Sequence, residues 1–69
     1  MNIIRVPWLA KTMNQEVHRA IEMSHWCKAQ GLKQHLDYDW FFQSAFKETE
    51  FRFYGEDGMA TMFSLRWIR

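Results

Sequence analysis

Between Gly31 and His35 the spacing of apolar residues changes from the period of a helix to the period of a strand, and few folds accommodate that switch in 69 residues. Upstream, Met13, Val17, Ala20, Ile21, Ser24 and Cys27 recur at helical spacing. Thr12 followed by Gln15 matches a capping box, in which hydroxyl and amide each satisfy a free backbone N–H. Gly31 supplies a left-handed stop. The spacing predicts a helix over residues 13–30, about 27 Å long at 1.5 Å per residue. Met23 and Trp26 fall off the main stripe, so the buried face is wide or reaches a second contact. Downstream, Leu36, Tyr38, Trp40 and Phe42 alternate with His35, Asp37, Asp39, Phe41 and Gln43, the pattern of a half-buried strand. After a connection near residues 44–47, Thr49, Phe51 and Phe53 face one way, and Glu48, Glu50, Arg52 and Tyr54 the other.

The ends of the chain complete the order. Ile3, Ile4, Arg5 and Val6 form a short β-rich run over residues 2–8, and Pro7, which cannot donate to a ladder, places that strand at an edge or ends it. Residues 59–68 read two ways. Thr61, Phe63, Leu65 and Trp67 alternate like a strand behind a Gly55–Gly58 turn. Met59, Met62, Phe63 and Arg66 fit a helix, with Asp57 as its N-cap. The Met, Ala, Leu and Arg content favours helix. The expected architecture is α+β: a small βαββα sheet with helices on one face, ferredoxin-like but lacking a fourth strand. A right-handed crossover sets the first strand beside the third. The absent strand leaves the first strand's outer edge unpaired, a liability unless something covers it.

Composition narrows the class. Residues 1–69 are expected to form a single domain, and a chain this short buries only about 60% of the surface its unfolded form exposes. Cys27 is the only cysteine, so no disulfide inside the chain compensates, and a lone thiol fits a reducing cytoplasm. Four Trp and six Phe within 48% hydrophobic residues argue against disorder and for a ring-rich core. The formal charge of +1 does not point to a polyanion. The longest run free of polar residues, Val6 to Ala10, is far short of the about 20 residues needed to span a bilayer, and no signal peptide is visible.

Several clusters can be written as chemistry. His18, Glu22 and His25, at i, i+4 and i+7, share one helix face and are of metal-ligand type. The plainer account is a solvated polar helix face. His35, Asp37 and Asp39 would project together from the second strand, as a metal site or as a split carboxylate pair, or simply as its wet side. Cys27 beside Trp26 and Lys28 could be a reactive thiolate only if a cation lowered its pKa, and a small hydrophobe in the core is the favoured reading. No motif demands a cofactor, and a non-enzymatic role is expected. On the open sheet face, Asp37, Asp39, Glu48 and Glu50 would surround Arg52 and repel phosphates. Nucleic acid is therefore left to the Lys and Arg of the helices. Trp8, Trp26, Phe41, Tyr54, Met59 and Trp67 exceed what so short a chain readily buries, and such residues are enriched at protein interfaces.

The stretch Glu50-Phe51-Arg52-Phe53-Tyr54-Gly55-Glu56-Asp57, followed by Ala60, Phe63, Leu65 and Trp67, resembles the ending of short, uncharacterised bacteriophage accessory proteins. The resemblance covers about a quarter of the chain and transfers no catalytic residue. It implies a phage protein acting in a bacterial cytoplasm or a small virion component. Taken together, these readings lead to the expectation of a protein-binding module that modulates a host protein or self-associates through its first strand. A nucleic-acid-binding regulator is the alternative, and a metal-binding domain the second.

Overall fold

The computed structural model describes residues 1–55 and 58–68. Strand β1 (Asn2–Pro7) leads to helix α1 (Met13–Ala29), then strands β2 (Tyr38–Gln43) and β3 (Glu48–Phe53), and helix α2 (Gly58–Trp67). A single 3-10 turn, Ser44–Phe46, joins β2 to β3. The strands form one antiparallel sheet of order β1-β3-β2, so the first strand does lie beside the third and at an edge. This is a βαββα, ferredoxin-like arrangement with both helices packed on one face.

Thr12 caps α1 as expected, with Gln15 N–H donating to Thr12 Oγ1 at 3.2 Å, while the return bond of the box is shifted by one residue, Gln15 Oε1 accepting from Lys11 N–H at 3.2 Å. Gly31 adopts a positive φ of 88° past the helix end, as a left-handed stop requires. The buried stripe, however, is Glu16, Ala20, Met23, Ser24 and Cys27. It is rotated from the expected one, so that Met23 is core while Met13 and Ile21 are exposed. The cause is Glu16. Its Oε2 accepts from Leu9 N–H at 3.0 Å and Ala10 N–H at 2.6 Å, and Arg19 Nη1 donates to Oε1 at 2.9 Å. A carboxylate so satisfied can face inward.

Strand β2 starts later than alternation predicts. His35 has φ of 73°, and the segment before Tyr38 is a tight turn in which His35 N–H donates to Tyr38 O at 2.7 Å and Asp37 N–H to Lys33 O at 2.8 Å. Leu36 therefore faces solvent at 71% exposure instead of joining Tyr38, Trp40 and Phe42.

Residues 58–67 are helix, which resolves the two readings of the C-terminal segment. Ala60, Phe63 and Trp67, spaced i, i+3 and i+7, form the face turned to the core. Asp57, the expected N-cap, lies outside the described residues. Phe63 reaches Phe51 with ring centroids 4.6 Å apart and Phe53 at 5.2 Å, while Trp26 of α1 meets Phe63 edge-on at 6.0 Å. A strand would have turned Ala60 to the face opposite Phe63 and Trp67.

Truncating Phe63 to Ala removes the ring on which both helices meet the sheet. The expected cost is about 3–5 kcal/mol, against a total stability of about 3–10 kcal/mol for a domain this size. In urea titrations followed by far-UV circular dichroism, F63A should lose its cooperative transition or shift it strongly toward zero denaturant, whereas F63L should retain it.

Candidate functional site

Strand β1 has only one strand neighbour among the described residues. Trp8 N–H donates to Lys47 O at 2.9 Å, which marks Trp8 and Lys47 as a hydrogen-bonded pair. Antiparallel pairs alternate. With Val6 opposite Thr49 and Ile4 opposite Phe51, the main-chain groups of Asn2, Ile4, Val6 and Trp8 turn toward β3. Those of Ile3, Arg5 and Pro7 turn outward. No backbone or side-chain hydrogen bond among the described residues reaches the outward groups of Ile3, Arg5 or Pro7. Pro7 stands where a donor would have pointed away from the sheet, which is where an edge tolerates it. The outer edge of β2 is covered only at its start, where His35 N–H takes the Tyr38 carbonyl and Gln34 bridges to Tyr38; by the same alternation Trp40 and Phe42 also turn main-chain groups outward.

The sheet face away from the helices carries Ile3, Arg5, Phe41, Asp39, Glu48, Glu50 and Arg52 by parity with the register. Glu50 is only 4% exposed although no helix covers it. Arg52 Nε donates to its Oε2 at 2.6 Å, and Arg5 Nε stands 3.7 Å from its Oε1. The Arg52 guanidinium also lies 4.9 Å over the Phe41 ring, and the Glu50 hydrogen bond pushes the Arg52 pKa up, fixing its charge. Beside it, Tyr54 Oη donates to Asp39 Oδ2 at 2.8 Å, which raises the Tyr54 pKa, and His35 Nδ1 lies 2.6 Å from Asp39 Oδ1. The acidic ring expected around Arg52 is thus altered. Glu50 is buried beneath arginines, Asp37 belongs to the turn, where its Oδ2 accepts from Lys33 N–H, and Arg5 adds a cation to the face.

The aromatic set separates into two groups. Phe41 and Tyr54 are on the open face, 42% and 40% exposed. Trp8, Trp26, Met59 and Trp67 are half-buried on the helix side. Trp8 packs edge-on against Phe42 at 5.4 Å and donates from Nε1 to Thr49 Oγ1 at 2.9 Å. Trp67 is capped by the Arg66 guanidinium at 4.3 Å, and its buried Nε1 has no partner among the described residues. Met59 lines a cavity of about 400 Å³ with Leu32, Phe53, Ala60, Met62 and Asp37. Exposed apolar side chains beside the bare edge are ones the spacing rules did not single out: Ile3 on β1, Leu9 just beyond it, and Ile68 after α2. The signal available was parity with Val6, which puts Ile3 and Arg5 opposite the core.

His18, Glu22 and His25 are all exposed on α1. His35 and Asp37 sit in the turn, so the expected shared strand face is not formed, and only Asp39 is on β2. Among the described residues, no three His, Cys, Asp or Glu side chains are grouped to hold a metal ion. Cys27 is fully buried, and burial pushes its pKa from 9.0 up to about 12, the opposite of thiolate activation. Among the described residues, no helix is long and apolar enough to cross a membrane. No protein-family model, curated protein or solved structure matches the chain.

Cys27 should be inert to disulfide reagents at pH 8 in the native protein and react at once in denaturant. Its raised pKa also fixes a sign. The neutral thiol contributes stability below pH 9, and that contribution is lost as pH climbs from 9 toward 12. Tyr38, whose pKa burial likewise raises, adds a loss of the same sign at alkaline pH. Urea midpoints measured between pH 8 and 11 should fall for the native sequence and fall less steeply for C27A. Equal slopes would contradict the assignment.

Proposed function

We propose that this chain is a small non-enzymatic protein-binding module, acting as a phage accessory protein that engages a host protein, and that the outer edge of β1 is its docking element. The supporting observation is the row of main-chain groups at Ile3, Arg5 and Pro7 that no strand or turn among the described residues pairs, running the length of β1 from its first residues. Such a row is a template for an added strand, whose backbone hydrogen bonds supply affinity while alternate side chains supply specificity. The exposed side chains of Ile3, Leu9 and Ile68 lie beside that row and would lose water on pairing. A second copy of the chain is the other strand that could dock in the same way.

The test uses a proline block at an outward donor. Ile3→Pro deletes the outward N–H of Ile3 without touching a β3 hydrogen bond. The intact chain should retain a specific protein from a bacterial lysate, and that protein should slow hydrogen exchange at the Ile3 and Arg5 amides. I3P should keep its circular dichroism and bind at least about 10-fold more weakly, as expected from losing a buried hydrogen bond of about 1.5 kcal/mol. A strict monomer that retains no protein would overturn the proposal.

A further inference from the structure

Resting on that reading, we infer that the strand docking at β1 belongs to a different protein and places an acidic residue opposite Arg5, with apolar residues on both sides of it. The Arg5 side chain is 57% exposed, and its one ionic contact among the described residues is the 3.7 Å approach to Glu50. Glu50 already accepts from Arg52 at 2.6 Å, so one carboxylate serves two guanidiniums. An incoming residue paired with Arg5 sits one strand away from it, about 5 Å. The same residue is two strands from Glu50, about 10 Å, which is close to a Debye length at ordinary ionic strength. Glu48 and Arg52 flank Glu50 at equal steps along β3 with opposite signs, and offset one another. The field met by the incoming side chain is that of Arg5.

The same cation disfavours a second copy. A two-fold antiparallel pairing centred on Ile4 uses Ile3 and Arg5 of both chains and brings both Arg5 side chains onto one face, a diagonal step apart. Centring on Arg5 opposes them directly, where like charges destabilise a pair. Centring on Ile3 pushes Arg5 out against Met1, at the end of the strand. Each register is poorer than a strand offering a carboxylate.

The flanking positions follow from the pleat. In an antiparallel strand, the residues before and after the one facing Arg5 meet Val6 and Ile4 on the helix side. There a recess of about 100 Å³ is lined by Val6, Pro7, Leu9, Trp67 and Ile68, with Arg19 at its wall. Arg19 is held by Glu16, so the recess offers mainly apolar surface to an aliphatic side chain. One residue further along, the strand meets the exposed Ile3 on the open face. The partner segment is thus apolar–acidic–apolar–apolar.

Three end-capped peptides of this pattern, identical except for Glu, Gln or Lys at the acidic position, can be titrated into the full chain while the Ile3 and Arg5 amides are followed by NMR. Glu should bind tightest and Lys weakest, with steps of about 3- to 5-fold. Arg5→Glu should invert the order, and Arg5→Gln should flatten it. Equal affinities, with the Ile3 and Arg5 amides still shifting, would leave the docking edge standing and overturn the charge rule. Protection of those amides in concentrated protein without peptide would make a second copy the occupant and overturn the inference. No response at the edge to any peptide or concentration would overturn both readings.

Discussion

Phe51 is the contact on which the rest of the molecule depends. It lies on the central strand and is fully buried. Its ring meets Tyr38 and Trp40 of β2, Phe53 of its own strand and Phe63 of α2, at centroid distances from 4.6 to 6.4 Å. A 69-residue chain has little apolar area to spare, and rings supply more of it per residue than aliphatic side chains do. Stacking several of them on one strand lets the sheet and α2 share a single core. Met23 and Cys27 of α1 complete it from above.

Around that core, buried side-chain polar groups of the described residues are satisfied, Trp67 Nε1 excepted. Ser24 Oγ and Tyr38 Oη are 2.6 Å apart, with Tyr38 Oη also donating to the Ser24 carbonyl. Thr49 accepts from Trp8, Glu16 from the chain entering α1, and Glu50 from Arg52. These bonds add modest net stability, but leaving any one of the partners alone would be costly. They fix orientation: Glu16 sets the rotation of α1, and Glu50 holds two arginines of neighbouring strands on the open face.

Much of the architecture is legible in the periodicities, and the departures have local causes. The helix and the edge position of β1 follow from the 3.6 and 2 periods, from Pro7 and from Gly31, and the strand order from the right-handed crossover. The stripe of α1 is misread because a glutamate occupies a core position, and only its main-chain partners at Leu9 and Ala10 make that tolerable. Leu36 is misread because two aspartates and a histidine favour a turn over one more strand residue; Asp37 closes it through Lys33. The candidate site is partly legible. The bare edge is foreseeable from the missing fourth strand, whereas the importance of Arg5 depends on a register that pairs it with Glu50, and periodicity carries no register. The aromatic excess reads as one surface in the sequence and occupies two in space.

The connectivity of the sheet has a kinetic corollary. Gln43 and Glu48 pair across a short turn, while Trp8 and Thr49, which hold β1 in place, are 41 residues apart. Each doubling of a loop adds about 0.6 kcal/mol of closure entropy, so β1 closes against about 2 kcal/mol more than the β2–β3 hairpin does. By topology the terminal ribbon arrives after the hairpin has formed. Until it arrives, the vacant side of β3 is itself an acceptor for extended chain, and β1 reaches it in competition with any other strand nearby.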